Sequence, residues 1–135
     1  MGSNLVSEMT EILVGSCCQA NVQRICSRLK GKAVCSITES WKAFELQSKR
    51  RSYSLHMTDL HFSDCFEAVA VDNLCRLDAP LPTIIILGDM NHYRVYRGKV
   101  QANVEIYPDG IVDDEDFISI LTALQVKYKY LSDLL

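Results

Sequence analysis

The run Thr83-Ile84-Ile85-Ile86-Leu87 constrains this chain more than any other segment. Five consecutive β-branched or aliphatic residues are too few for a helix core and too apolar for a surface loop. They read as a buried strand, and a buried strand needs a sheet around it. Ala79-Pro80-Leu81-Pro82 leads in as a stiff connector whose prolines offer no backbone donor. Gly88 marks a bend or bulge at the far end.

Other segments supply neighbours for that strand. Ala33-Val34-Cys35-Ser36-Ile37-Thr38 is short and rich in β-branched residues. Tyr53, Leu55 and Met57 alternate with Ser54, His56 and Thr58, the pattern of a half-buried strand with His56 on its polar face. Cys65 to Asp72 reads as a third strand after Asp59. His92 to Tyr96 and Val100 to Ile106 read as a hairpin turning at Arg97-Gly98.

Helical signals concentrate at the two ends. Leu5, Met9, Ile12 and Leu13 fall at helical spacing behind a capping Ser3. Gln19 to Leu29 fits a helical turn or an extended segment equally, and Gly31 breaks either. The acidic run Asp113-Asp114-Glu115-Asp116 opens the clearest helix, where carboxylates complement the positive end of the helix dipole. Along that helix Phe117, Leu121, Leu124, Tyr128, Leu131 and Leu135 recur at alternating four- and three-residue steps, a heptad seam that calls for a partner helix.

A chain of 135 residues with 48% apolar and 23% charged residues can bury one core and is not composed like a disordered segment. Six cysteines, Cys17, Cys18, Cys26, Cys35, Cys65 and Cys75, include no Cys-x-x-Cys pair, which also weakens a thioredoxin-like reading. The start of the chain lacks the pattern of a secretory signal, so a reducing compartment and reduced, mostly buried thiols are expected. No apolar run approaches the ~18 residues of a membrane span.

These elements point to a mainly β fold: a five-stranded OB-type barrel over residues 31–112, a helical extension over 1–30 and an assembly helix over 113–135. A βαβ arrangement is set aside because no long crossover helix separates the strands.

Three segments carry a resemblance. Gly31-Lys32-Ala33-Val34, then Arg51-Ser52-Tyr53-Ser54-Leu55-His56-Met57-Thr58-Asp59, then Tyr96-Arg97-Gly98-Lys99-Val100-Gln101 resemble, in that order, the OB domains of single-stranded DNA-binding proteins. The helix at 113–135 looks like the assembly helix of the middle and small subunits of replication protein A and of similar telomere-capping complexes. The resemblance implies a non-catalytic subunit of a replication, repair, meiotic or telomeric complex, located in the nucleus. Its implied partners are another OB-fold subunit and, as a second candidate, single-stranded DNA. The alternative is a structural adaptor that binds protein only.

Charge by segment bears on this. The net charge of −3 excludes a globally basic nucleic-acid binder, but residues 24–56 hold eight basic against two acidic residues, a local +6. Residues 105–116 hold six acidic residues and no basic one, a local −6. A strand-binding groove needs cations for phosphates and aromatic faces for bases. Trp41, Phe44, Lys49, Arg50, Arg51 and Tyr53 form one candidate jaw, and Tyr93, Arg94, Tyr96, Arg97 and Lys99 the other. Phe117, Leu121, Leu124, Tyr128, Leu131 and Leu135 are the candidate partner-binding residues. No catalytic motif appears, and no cofactor, small-molecule substrate or metal is expected. Asp59, His61 and Asp64 lie close together, but loops are rich in such residues.

Overall fold

The computed structural model describes residues 10–76, 83–87 and 104–134. Five strands, β1 (Thr10–Gly15), β2 (Ala33–Thr38), β3 (Leu55–Thr58), β4 (Thr83–Leu87) and β5 (Val104–Pro108), form one sheet in the order β2-β1-β3-β4-β5. Every neighbouring pair is parallel, with Ile12 beside both Cys35 and Leu55 and Ile85 beside Ile106. Among the described residues the helices are α1 (Gln19–Leu29), α2 (Trp41–Arg50), α3 (Glu67–Cys75) and α4 (Phe117–Leu134), and a short 3-10 turn covers Asp109–Asp113.

The sheet lies between two helical layers. On one face Ile12, Val14, Leu55 and Met57 pack against Ile25 and Leu29 of α1 and Phe117, Leu121 and Leu124 of α4. On the other, Leu13 packs with Trp41 and Phe44 of α2 and Ala70, Val71 and Leu74 of α3. The strand period of two explains the division, since successive side chains of β1 leave on opposite faces.

This architecture overturns the mainly β barrel. Crossover helices connect β1 to β2, β2 to β3 and β3 to β4, and each has 9 to 11 residues. A ten-residue helix is about 15 Å long, which matches a strand of four to six residues at about 3.3 Å each. A crossover therefore needs less chain than the barrel reading allowed.

Particular segments show where local pattern misled. The expected amino-terminal helix gives way to strand β1, whose burial comes from a helix layer on each side. Residues 4–9 of that helix lie outside the described residues. Cys65 to Asp72 is not a strand: from Glu67 it is helical, and Ala70, Val71 and Leu74 share the face turned to the sheet. All four residues of β3 are buried, because a parallel sheet covered on both faces leaves no polar side. His56 is thus 2% exposed, edge-on to Phe44 and Tyr53 at 5.9 and 5.8 Å between ring centroids. The expected hairpin lies mostly outside the described residues, and its return strand, β5, pairs in parallel with β4.

Some local signals held. β2 and β4 occupy the predicted segments, and the acidic run precedes the terminal helix. Gly31, at φ +78°, ends α1 in the left-handed conformation that glycine adopts most readily, and the Lys32 N–H closes the turn on the Leu29 carbonyl at 2.9 Å. Among the described residues no helix is long and apolar enough to cross a membrane.

Candidate functional site

In an open parallel sheet, ligands gather outside the carboxyl ends of the strands where the strand order reverses. With the order 2-1-3-4-5, that point lies between β1 and β3. The residues leaving these strands are Ser16, Cys17 and Cys18 on one side and Asp59, Leu60 and His61 on the other.

Asp59 is the centre of this arrangement, and only 4% of it is exposed. The Ser16 hydroxyl donates to its Oδ2 at 2.7 Å, the Asn21 amide donates to the same oxygen at 2.7 Å, and the His61 N–H donates to Oδ1 at 2.9 Å. Ser16 Oγ also accepts from the Cys18 N–H at 3.0 Å, tying the loop to the start of α1. Among the described residues no lysine or arginine forms an ion pair with Asp59.

Backbone geometry supports the site. Leu60 sits at φ +66°, a costly conformation for a residue with a Cβ. Thr58 compensates by donating to the Gly15 carbonyl at 2.7 Å and accepting from the Leu60 N–H at 2.9 Å. Gly15 meets a different demand: a Cβ there would come within 2.7 Å of Phe44 and of Phe62. Only glycine lets β1 end against those two rings.

A second polar cluster lines the same crevice. Arg24 Nη1 donates to both oxygens of Asp109, at 3.0 and 3.1 Å, and Nη2 donates to Asp113 Oδ2 at 2.9 Å. Arg28 donates to the Val112 and Asp114 carbonyls and lies over the Phe117 ring. Two basic residues of the +6 segment therefore meet acidic and backbone groups of the −6 segment within one molecule. The charge asymmetry read as a binding jaw is in part an internal clasp between α1 and the turn before α4.

The predicted nucleic-acid residues occupy other places. Trp41, Phe44 and Tyr53 are 9%, 0% and 7% exposed and lie in the core, so their faces are covered by Leu13, Leu60 and Phe62. Arg51 pairs with Glu11 at 2.6 Å and lies over Tyr53, Lys49 pairs with Glu45 at 3.7 Å, and Arg50 is exposed. Tyr93, Arg94, Tyr96, Arg97 and Lys99 lie outside the described residues. The seam residues Phe117, Leu121 and Leu124 pack on this chain's own sheet, which supplies the apolar surface that a partner helix was expected to provide. Tyr128 and Leu131 continue the helix, and Leu135 lies outside the described residues.

Asp59, His61 and Asp64 form no metal-holding group among the described residues: His61 meets Asp59 through its backbone N–H, and Asp64 acts elsewhere. Asp64 accepts from the Trp41 and Lys42 N–H groups at 2.7 and 3.2 Å, capping α2 beside Ser40, whose hydroxyl accepts from the Ala43 N–H. Ser16 and Asn21 were not anticipated. The signal was present, since Ile12-Leu13-Val14-Gly15-Ser16 ahead of an amphipathic stretch is a strand, a tight turn and a helix start.

No protein-family profile matches the chain, and no curated protein is similar to it in sequence. Solved structures do share its fold. The signal receiver domain of a putative LuxO repressor protein from Vibrio parahaemolyticus is 18% identical with a TM-score of 0.70, covering 93% of this chain and 96% of that one. A CheY-like response regulator receiver domain from Methylobacillus flagellatus is 16% identical with a TM-score of 0.60, over 88% and 98% of the two chains. The Mn2+-bound form of the response regulator Rcp1 is 11% identical with a TM-score of 0.58, over 86% and 89%. This likeness removes the resemblance to single-stranded DNA-binding proteins, and with it the telomeric and replicative roles, the OB-fold partner and the protein-only OB adaptor. What the chain shares with these structures is the fold of response regulator receiver domains.

Proposed function

We propose that this chain is a non-catalytic signal-receiving module of the response-regulator type, whose partners are the proteins that deliver and read the signal. Asp59 is its central hub and works without a divalent metal. The observation that carries the reading is the carboxylate at the β1/β3 reversal point held by three uncharged donors, Ser16, Asn21 and the His61 N–H.

One of the structures of like fold binds Mn2+, so the fit of such an ion can be tested against the donors present here. Hard divalent cations take several oxygen ligands, usually with more than one carboxylate. Among the described residues no three histidines, cysteines or acids converge. The residues after β1 are an alcohol and two thiols, Asp59 already accepts three hydrogen bonds, and Asp109 is held by Arg24. A metal does not fit this donor set. A carboxylate can take up a phosphoryl group, but that transfer relies on cations to neutralise the phosphoryl oxygens. The groups holding Asp59 are neutral.

The signal then passes through binding. A change in the Ser16–Asp59–Asn21 hydrogen bonds moves the start of α1, and Arg24 on that helix is clasped to the turn before α4. The test is to add Mg2+ with acetyl phosphate or beryllofluoride to the isotopically labelled chain. The expected result is no Mg2+-dependent change in the amide resonances of residues 16–21 and 59–61 and no phosphate on Asp59. A metal-dependent phosphoryl adduct at Asp59 would overturn the reading.

A further inference from the structure

The two edges of the sheet are built differently. Among the described residues β5 closes one edge, where Glu105 is paired with Lys127 of α4 at 3.1 Å and the strand ends in Pro108. A charge and a proline are usual guards of an edge, because an unguarded strand templates pairing with another chain. β2 forms the other edge and has neither guard. Its residues, Ala33–Thr38, include no charge and no proline, and they pair with β1 in unbroken register, without a bulge. Val34 and Ile37 are 48% and 41% exposed and leave the strand on opposite faces.

The backbone of β2 is half used. The Ser16 N–H donates to the Thr38 carbonyl at 2.9 Å, and in a parallel ladder alternate residues turn to the same neighbour. Val34, Ser36 and Thr38 therefore turn their backbone groups to β1. Ala33, Cys35 and Ile37 turn theirs outwards, where no strand among the described residues meets them.

Charge marks one end of this edge. Lys30 and Lys32, just before β2, are exposed and form no ion pair among the described residues, unlike Arg24, Lys49 and Arg51. The other end carries one exposed acid, Glu39, which already accepts from the Gln19 amide at 3.2 Å. A second copy pairing antiparallel through β2 would set two cations against that single acid. A segment carrying two acids matches both cations, and an extended segment fills only the strip of about 4.8 Å that one strand needs. We propose that the β2 edge takes up an extended segment of a partner protein as a further strand. The segment runs antiparallel, the pairing slightly more stable per residue, with apolar residues beside Val34 and Ile37 and acidic residues at its carboxyl end beside Lys30 and Lys32. This mode of recognition draws affinity from the backbone and specificity from the flanking side chains. The inference does not depend on the signalling role of Asp59.

The test titrates the isotopically labelled full chain with millimolar amounts of an acetylated peptide of alternating valine and threonine that ends in two aspartates. On binding, the Cys35 and Ile37 amides should exchange more slowly with solvent, while the Val34 and Ser36 amides, already turned to β1, keep their rates. Lys30→Gln combined with Lys32→Gln should weaken binding about fivefold, and Ile37→Lys should remove it, because a charged side chain guards an edge. The proposal is overturned if the peptide does not bind, if it protects other amides only, or if it binds as tightly with lysines in place of the aspartates. It is equally overturned if the chain alone is a dimer with the Cys35 and Ile37 amides already protected, since a second copy then occupies the edge. The amides of the unaltered chain decide the matter even where a variant does not fold.

Discussion

Asp59 and Asp109 line one crevice and are held in opposite ways. Asp59 is buried and accepts from a hydroxyl, an amide and a backbone N–H, all uncharged. Asp109 sits at the edge, with a side chain 38% exposed, and is gripped by the cation Arg24, itself 31% exposed. Removing the buried acceptor strands three donors where water cannot easily replace it, whereas an exposed ion pair is screened and partly re-solvated when broken. The formally stronger pair should therefore contribute less to stability.

That contrast can be broken most directly at Asp59. Asp59→Ala should cost about 3 kcal/mol by orphaning Ser16, Asn21 and the His61 N–H. Asp59→Asn, which keeps an acceptor, should cost about half as much. Urea midpoints at unchanged slope would measure both, and a loss below about 1 kcal/mol for the alanine variant would end the claim that Asp59 is a structural hub.

Asp64 provides an intermediate case, a surface carboxylate that caps α2 from another loop. Asp64→Ala should cost about 1 kcal/mol, the usual value of a lost cap. Partial burial pushes the Asp64 carboxyl up, but the Trp41 and Lys42 N–H groups, its own N–H and the Lys42 charge together hold it below its ordinary value. A depressed folded value means the contribution is present above the unfolded pKa of about 3.9. It is lost as pH falls through the folded value. The difference between the natural chain and the alanine variant should accordingly shrink on acidification below pH ~4, and a gap independent of pH would argue against the cap.

Arg24→Gln should have the smallest effect, below about 1 kcal/mol and diminishing as salt rises. Asp109 raises the Arg24 pKa first of all, against the opposing effect of burial, so the guanidinium stays charged throughout the accessible pH range and its contribution should vary with salt. A salt-independent loss as large as that of Asp59→Ala would reverse the comparison.

Legibility followed the range of the interactions. β2, β4 and the terminal helix could be read because β-branched runs and acidic helix starts act through neighbours in sequence. Asp59 is visible as the residue ending a strand, but its partners Ser16 and Asn21 lie 43 and 38 residues away, and the local strand–turn–helix pattern that carries them does not show that they meet it. β1 was misread because Leu5, Met9, Ile12 and Leu13 mimic helical spacing, although a strand buried on both faces has no period of its own. The run from Phe117 to Leu124 reads as a heptad seam for a partner helix, whereas these residues pack on this chain's own sheet, since apolar spacing does not specify what covers it.

The sequence by itself determined which segments are apolar, that the chain turns at Gly31, and that charge is divided between a basic and an acidic stretch. Only the tertiary structure decided that the strands run parallel, that helices of 9 to 11 residues cross between them, and that the two charged stretches close on each other. Propensity arises between residues a few positions apart, whereas strand order, the crevice and the cap that Asp64 places on α2 exist only once distant segments share one core. Asp59 shows the difference most plainly: its position ending β3 was evident from the chain, and its burial among neutral donors came from the fold.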